Sequence, residues 1–320
     1  MKVLFVWTGV TSYMADCWRA FSSVPDVELK VVIEPVAAGR ELDAAAVLRG
    51  IDFTLVPAKR RSETAALVAA FAPDVLFAVG WHSPVVRAAV AALPSVPKVC
   101  CFDMPWRNSL RCVAARFVLH RYLRRFRAAY VPGRAAAKYA KWLGFARIET
   151  GLFSLDQSRF RGGGTAPRTG FFYAGRISPE KRLDLIARAY ARYRDRGGGW
   201  TFETFGGSNF LQPSALAQKF RERGCLLLAS AFDPWPLVVL EAKSAGCAVI
   251  CSDRCGNADE LGAVKFPYGD VEAMADEMLR IERARETASV DISRYDAPAW
   301  ASRTLALAQS VLNPAAANQP

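Results

Sequence analysis

The stretch FDPWPLVVLEAKSAGCAVICSD (232–253) contains two carboxylates in largely apolar surroundings. Asp233 opens a turn rich in proline and tryptophan, and Glu241 lies inside the apolar run that follows. The preceding CLLLAS (225–230) predicts a strand, and LVVLEAKSAG after the turn predicts a helix that stops at Gly246. Carboxylates avoid apolar surroundings unless something pairs with them. The stretch therefore predicts a strand, a turn and a helix in which both acids have a partner or a ligand.

The spacing of the two acids allows both to contact one ligand. Glu241 lies about five residues into the predicted helix, which is ~7–8 Å along its axis. A carboxylate accepts two hydrogen bonds, a pattern that suits neighbouring hydroxyls of a ribose or hexose. The alternative is structural: Asp233 caps the turn, and Glu241 pairs with Arg176 or Lys181.

Strand-like apolar runs alternate with helix-like segments through the first half of the chain. The runs are 2–7, 29–34, 52–56, 74–80, 98–103 and 128–133. They lack polar alternation, which is typical of a parallel sheet covered on both faces. Alternating strands and helices predict a doubly wound α/β fold.

The pattern restarts after a break rich in glycine and proline at 159–170. Further strands are predicted at 170–176, 200–207, 225–230 and 247–253, with helices at 181–195 and 272–284. The sequence thus predicts two Rossmann-like doubly wound domains, 1–155 and 168–295, facing each other across a cleft. A last helix, 296–313, is expected to cross back to the first domain. Ligands of such sheets bind beyond the carboxyl ends of the strands.

Basic residues follow the first strand of the second domain, in YAGRISPEKRLD. Arg176 follows Gly175 at the strand end, and Lys181 comes five residues later, near the predicted helix start. Two cations and a helix N-terminus can hold a diphosphate. The alternative is a solvated basic turn.

Charge and cysteine usage limit the partners and the compartment. The 320 residues carry a formal charge of +12, which indicates an anionic partner: nucleic acid, phosphorylated small molecules or an acidic membrane face. Eight cysteines without a CxxC pair, and only two histidines, predict buried reduced thiols in a cytosolic protein and no zinc site. No apolar run reaches 18 residues, so no membrane-spanning segment is expected.

The segment 107–130 concentrates positive charge and contains no acid. It carries seven arginines and several large apolar residues, which favours an amphipathic helix resting on anionic lipid. The alternative is a solvated helix with its apolar face in the core. Nucleic-acid binding is not expected, because aromatic stacking platforms are absent.

Four motifs resemble the retaining GT-B glycosyltransferases of the large glycogen-synthase-like and mannosyltransferase-like family. They are GRISPEKRLDLI, AFDPWPLVVLEAKSAGCAVICSD, GNADEL and FPYGDVEAMADEM, in that order along most of 170–285. The family signature is Glu, seven residues, Glu; here it reads Asp233, seven residues, Glu241. Aspartate is one methylene shorter, which reduces its reach.

The resemblance implies a donor site for a nucleotide-diphosphate sugar in the second domain. Arg176 and Lys181 match the basic pair on the diphosphate, and Glu241 matches the ribose ligand. Asp233 would contact the transferred sugar, helped by backbone N–H groups just after it. No metal or other cofactor is implied, because two cations already neutralise the leaving group. The donor-binding residues implied are Gly9, Gly175, Arg176, Lys181, Trp235, Leu237, Val238 and Glu241.

The resemblance also implies that the first domain binds the acceptor, a glycan or a lipid-linked molecule. Family members often carry a histidine at the end of the strand that here reads KVCCFD, where this chain has Asp103. His82, one strand earlier, is expected to line the same cleft. Asp103 and His82 join Arg176, Lys181 and Asp233 as the candidate catalytic residues.

These features predict a cytoplasmic retaining hexosyltransferase, peripheral on the inner membrane face if the basic segment docks there. Two alternatives remain: a non-catalytic GT-B relative that binds a nucleotide or a partner enzyme, and a GT-B nucleotide-sugar epimerase. The loops of the second domain are short compared with those of the family. A natural minimal enzyme, an engineered deletion and a degenerate pseudoenzyme are all consistent with these short loops. The sugar, nucleobase, acceptor and oligomeric state are not specified by the sequence.

Overall fold

The computed structural model describes residues 1–36, 43–107, 109–162, 168–207, 211, 213–284 and 290–313. The chain divides into two compact units. The first is Met1–Asp156 together with Arg294–Pro320, and the second is Gln157–Ser293. Each unit holds one parallel sheet with helices between its strands.

The first unit contains a seven-stranded sheet. Its strands are β1 (Lys2–Thr8), β2 (Glu28–Glu34), β3 (Phe53–Leu55), β4 (Val75–Val79), β5 (Lys98–Cys101), β6 (Ala128–Val131) and β7 (Ile148–Thr150). Its helices are α1 (Ser12–Ser22), α2 (Ala44–Val47), α3 (Ser62–Phe71), α4 (Pro84–Ala92), α5 (Leu110–Val118), α6 (His120–Leu123), α7 (Arg134–Leu143) and α12 (Ala297–Leu312). The strand order β3-β2-β1-β4-β5-β6-β7 reverses direction between β1 and β4.

An aromatic cluster fills the core of this unit and includes the C-terminal helix. Phe5 of β1 stacks on Phe77 of β4 with ring centroids 4.6 Å apart. Trp300 of α12 lies 5.9 Å from Phe5, and its Nε1 donates to the Leu152 carbonyl at 2.7 Å. Helix α12 also packs on α1, so it forms part of the hydrophobic core of the first unit.

The second unit contains a five-stranded sheet. Its strands are β8 (Thr169–Ala174), β9 (Phe202–Phe205), β10 (Arg223–Leu228), β11 (Ala248–Ser252) and β12 (Val264–Phe266). Its helices are α8 (Leu183–Asp195), α9 (Pro213–Glu222), α10 (Leu237–Ser244) and α11 (Val271–Ala284). The order β12-β11-β10-β8-β9 reverses direction between β8 and β10. The carboxyl ends of these two strands therefore flank the switch point of the sheet, where doubly wound folds bind ligands.

Both sheets confirm the predicted doubly wound α/β class, and the structure corrects two helices. The segment 107–130 is two short helices, α5 and α6, followed by β6, because a buried strand begins at Ala128. The helix expected over 181–195 begins at Leu183, because Arg182 has the left-handed φ of 51° and ends a separate 3-10 turn.

All eight cysteines are buried and none forms a disulfide, as predicted. Within the described residues, no helix is both long enough and apolar enough to cross a bilayer.

Candidate functional site

The switch point of the second sheet brings together the loops after β8 and β10. The loop after β8 carries Gly175, Arg176 and Lys181, and the turn after β10 carries Asp233. The Ala231 N–H donates to the Glu180 carbonyl at 2.8 Å, which ties the two loops to each other. Two segments far apart in sequence are thereby held at one edge of the sheet.

Lys181 and Asp233 form an ion pair across this edge. The Lys181 Nζ donates to the Asp233 Oδ2, and the side chains are only 15% and 13% exposed. The other carboxylate oxygen, Oδ1, accepts the Trp235 N–H at 3.3 Å, so Asp233 also caps its own turn. The structural alternative for Asp233, turn capping, is therefore present in the fold.

The turn that carries Asp233 rests on the loop after β11. The Asp233 N–H donates to the Arg254 carbonyl at 3.2 Å, and the Gly256 N–H donates to the Asp233 carbonyl at 2.9 Å. A Cβ on Gly256 would lie 2.2 Å from the Pro234 carbonyl oxygen, so only glycine fits. Asn257, which is fully buried, donates through Nδ2 to the Pro236 carbonyl at 2.9 Å.

Gly256 and Asn257 were not predicted as site residues, although the motif GNADEL begins with them. Their contribution depends on a contact between two loops. Such a contact cannot be read from local sequence spacing. The signal that was available is a Gly-Asn pair in the loop after the buried strand β11.

Arg176 lies at the same sheet edge and is the accessible cation of the predicted pair. Its side chain is 55% exposed, and its Nη2 lies 4.0 Å from the Glu180 carboxylate, the limit of an ion pair. Its carbonyl accepts the hydroxyl of Tyr173, and burial raises the pKa of Tyr173 to about 12. The Arg176 backbone is thus fixed by a neutral phenol while its guanidinium faces water.

Close backbone approach explains the glycines around Arg176. Gly175 has φ 143°, which favours glycine, and a Cβ on Gly206 would lie 2.0 Å from the Gly175 carbonyl oxygen. The ends of β8 and β9 therefore approach too closely for any side chain at Gly206.

Helix α10 carries the remaining donor-side candidates. Leu237 and Val238 are its first two residues, so their N–H groups have no acceptor within the helix. Glu241 lies one turn further along, is half-buried and has a contact within the protein. Trp235, just before the helix, is buried. The structure therefore joins Lys181 directly to Asp233, whereas Glu241 is placed on the adjoining helix.

The switch point of the first sheet forms a cavity of about 190 Å³. His82 follows β4, Asp103 follows β5, and both line this cavity together with Thr8, Trp81 and Met104. The two acceptor-side candidates are therefore neighbours around one space. Gly9, with φ 72°, turns the chain after β1, and its N–H donates to the Glu34 carbonyl at 2.9 Å. Gly9 itself is not among the residues that line the cavity.

Ser83 is a cavity residue that was not predicted. Its hydroxyl donates to the Glu34 carboxylate and accepts the Val86 N–H at 3.0 Å, capping α4. The contact fixes the start of α4 beside His82. A serine directly before proline at a helix start was the available signal.

Comparison with known proteins places these sites in context. Residues 208–294 match the family model "Glycosyl transferases group 1". No curated protein matches the chain. Among solved structures, the lipopolysaccharide outer core galactosyltransferase WaaB in its apo form aligns with a TM-score of 0.70 at 14% identity, covering 98% of this chain and 99% of the other.

Two further structures align over nearly their full lengths. HepE from Anabaena, in complex with UDP and glucose, aligns with a TM-score of 0.67 at 15% identity, covering 99% of this chain and 98% of the other. An α,α-trehalose-phosphate synthase (UDP-forming) from Burkholderia xenovorans, in complex with glucose-6-phosphate, aligns with a TM-score of 0.67 at 13% identity, covering 96% and 100%.

These findings confirm the resemblance identified in the sequence. The fold is that of GT-B glycosyltransferases, and residues 208–294, nearly all of them in the second unit, match the group 1 glycosyltransferase model. The chain therefore has the GT-B fold and contains one segment that matches the group 1 glycosyltransferase model. The matched segment contains Asp233, Glu241 and Gly256, whereas Arg176 and Lys181 lie before it.

Proposed function

We propose that the chain is a retaining hexosyltransferase that takes its donor as a nucleotide-diphosphate sugar. The observation that carries the proposal is the meeting of Lys181 and Asp233 at the switch point of the second sheet, beside Arg176. This is where a doubly wound domain binds nucleotides. The solved HepE complexes contain UDP or UDP-glucose, which supports a donor of this class.

In the proposed mechanism the bond between the sugar C1 and the β-phosphate oxygen breaks, and the bonding electrons remain on the diphosphate. Arg176 and Lys181 stabilise this developing negative charge, which is usually the largest catalytic contribution. Glu241 accepts hydrogen bonds from the ribose hydroxyls. Retention requires the acceptor hydroxyl to form the new glycosidic bond on the face that the diphosphate leaves, so its proton passes to the departing phosphate oxygen. Asp103 and His82 of the first unit would bind the acceptor by hydrogen bonds.

Lys181 can bind the diphosphate only if its ion pair with Asp233 breaks. An incoming diphosphate carries more charge than one carboxylate, so it competes for Lys181 while Asp233 turns to the sugar hydroxyls. We propose this exchange of partners as the event that follows donor binding. The Asp233 backbone stays fixed by its bonds to Arg254 and Gly256.

The same ion pair favours a second candidate function. In a non-catalytic relative, Lys181 and Asp233 would remain paired as a structural element of a nucleotide-binding protein. The substitution of aspartate for the family's first glutamate supports this alternative. A sugar epimerase, the third class, would release a free sugar isomer instead of a glycoside.

On the acceptor side, we propose that helix α5 rests on an anionic bilayer. Leu110, Phe117 and Val118 are 87%, 71% and 79% exposed. Exposed arginines lie near them in the sequence, at 107, 111, 121, 124 and 125. Such a surface combines apolar insertion with attraction to acidic headgroups. A lipid-linked acceptor would be met at this surface.

The proposal is tested by incubating the purified chain with UDP-, GDP- and dTDP-hexoses and membrane extracts that contain glycolipid acceptors. We expect one donor to be consumed with formation of a glycoside whose anomeric configuration, measured by NMR, matches that of the donor. Consumption without transfer to yield a sugar isomer supports the epimerase. Binding of a nucleotide without any turnover supports the non-catalytic relative.

A further inference from the structure

A basic groove runs between α3 and α4 of the first unit and shares His82 with the cavity described above. Its volume is about 940 Å³. Three cations line it, Lys59, Arg61 and Arg87, together with alanines such as Ala88 and Ala91. None of the described residues that line the groove is acidic. The alanines give the groove an apolar lining, and all three cations are exposed to solvent.

The charge of the groove is not neutralised by the nearest acid on α3. Glu63 pairs instead with Arg60, Nε to Oε1 at 2.7 Å, and both side chains are more than half exposed. Arg60 does not line the groove. The cations of the groove therefore present unbalanced positive charge to any ligand that enters.

Arg87 is held in position for such a ligand. Its guanidinium lies 6.0 Å from the ring centroid of Tyr122, whose hydroxyl donates to the Gly80 carbonyl at 3.2 Å. Stacking on a fixed aromatic ring reduces the conformational freedom that a bound arginine has to lose. Helices α3 and α4 both follow strands, so their N-termini lie at the carboxyl edge of the sheet and add to the positive potential.

His82 connects the groove to the acceptor cavity, because it lines both. A molecule whose hydroxyl lies beside Asp103 in the cavity can continue past His82 into the groove. The cavity holds about 190 Å³ and the groove about 940 Å³, so most of an extended ligand would lie in the groove.

We propose that the α3–α4 groove binds a phosphate group carried by the acceptor. This inference rests on the proposed function and adds the chemical class of the acceptor to it. The paired N–H donors of an arginine guanidinium match phosphate oxygens, and the apolar lining accommodates the carbon skeleton to which the phosphate is attached. The phosphate can belong to a soluble sugar phosphate or to a lipid headgroup, which the test separates.

The test is calorimetric titration of the full chain with four probes. Glucose 6-phosphate is compared with glucose, and dihexanoyl phosphatidic acid with dihexanoyl glycerol. We expect a phosphate-bearing probe to bind and its uncharged counterpart, glucose or dihexanoyl glycerol, not to bind. Stronger binding of glucose 6-phosphate identifies a soluble acceptor, and stronger binding of phosphatidic acid identifies a lipid.

Charge-removing variants then locate the site. Arg61→Gln and Arg87→Gln should each lower the affinity for the phosphate probe about three- to tenfold, and Arg87→Lys should lower it less. Arg49→Gln removes the same charge from an exposed position that lines neither the groove nor the cavity, and should leave binding unchanged. Thermal melts of Arg61→Gln and Arg87→Lys verify folding, since neither removes the cation beside Tyr122.

Two results would overturn the inference. One is that phosphate probes bind no better than their uncharged counterparts, and the other is that Arg49→Gln loses as much affinity as the Arg61 and Arg87 variants. UDP titrated against the same variants separates this inference from the proposed function. If UDP fails to bind while glucose 6-phosphate still depends on Arg61, the donor proposal fails and the groove proposal stands.

Discussion

The Nζ of Lys181 donates to the Oδ2 of Asp233 at the carboxyl edge of the second sheet. The pair joins the loop after β8 to the turn after β10, which are 52 residues apart in sequence. Both side chains are largely shielded from water. The pair therefore stabilises the fold locally, and it places a cation and an acid at the edge where we propose that the donor binds.

Removing one member of this pair should destabilise the second unit, because the other charge is left shielded and uncompensated. We expect Asp233→Asn and Lys181→Met each to cost about 2–4 kcal/mol of unfolding free energy. The double variant should cost less than the sum of the two by about 1–3 kcal/mol. Urea denaturation of the three variants and the wild type gives these values.

Arg192→Met with Glu272→Gln is the matched control, an exposed pair whose Nε–Oε1 distance is 3.0 Å in the same unit. Its coupling should stay below about 1 kcal/mol because water screens both groups. Equal coupling in the two pairs would show that the Lys181–Asp233 contact does not form.

Gly256→Ala should displace the turn that carries Asp233. A Cβ at this position would lie 2.2 Å from the Pro234 carbonyl, a clash with backbone that only a loop shift relieves. We expect a loss of about 2–4 kcal/mol in unfolding free energy and weaker nucleotide binding. Gly197→Ala, in open space with φ 85°, should cost only about 1–2 kcal/mol and leave binding unchanged. Similar effects of both variants on binding would contradict the proposed support of the turn by Gly256.

Periodicity and composition were sufficient to predict most of the fold. Long apolar runs such as the one at 2–7 became central strands, because only a sheet covered on both faces buries them. The short strands β7 (Ile148–Thr150) and β12 (Val264–Phe266) were missed. They are three residues long and lie at sheet edges, so their formation depends on the neighbouring strand more than on their own sequence.

The candidate site was predictable only in part. Motif spacing suggested that Lys181 and Asp233 belong to one site, but it did not predict that they pair with each other. The pairing depends on the 3-10 turn at Pro179–Lys181, which ends in the left-handed Arg182 and directs Lys181 toward the neighbouring loop. Loop-to-loop contacts of this kind arise from tertiary packing, which leaves no periodic signal in the sequence.

The buried thiols should make the native protein unreactive toward thiol reagents. Burial raises the pKa of Cys247 to about 12 and raises the pKa of Cys100 and Cys225 as well. A hydrogen bond with Cys255, followed by burial, raises the pKa of Cys251. Because the folded pKa of Cys247 exceeds its usual value of 9.0, this thiol contributes stability below pH 9 that is lost as the pH rises toward 12.

We therefore expect no thiol to react with Ellman's reagent at neutral pH in the native state, and eight to react in guanidinium. The unfolding free energy should decline between pH 9 and 12. Rapid reaction of any native thiol would indicate that a cysteine is exposed.

Phe117→Ser should reduce sedimentation with vesicles that contain phosphatidylglycerol. Insertion of a phenylalanine contributes about 1.5–3 kcal/mol, so the partition coefficient should fall about tenfold or more. Leu55→Ser removes an exposed apolar residue outside α5 and should have no effect. If phosphatidylcholine vesicles recover as much wild-type protein as acidic vesicles, the anionic docking surface is ruled out.

The central claim, that the switch point of the second sheet binds a nucleoside diphosphate, is tested most directly by titration calorimetry with UDP, GDP and dTDP. We predict that one of the three nucleotides binds, and that Arg176→Ala and Glu241→Ala each lower its affinity about tenfold or more. The control, Arg188→Ala on the exposed face of α8, should leave the affinity unchanged. Binding that is unchanged in both site variants, or no binding of any of the three nucleotides, would contradict it.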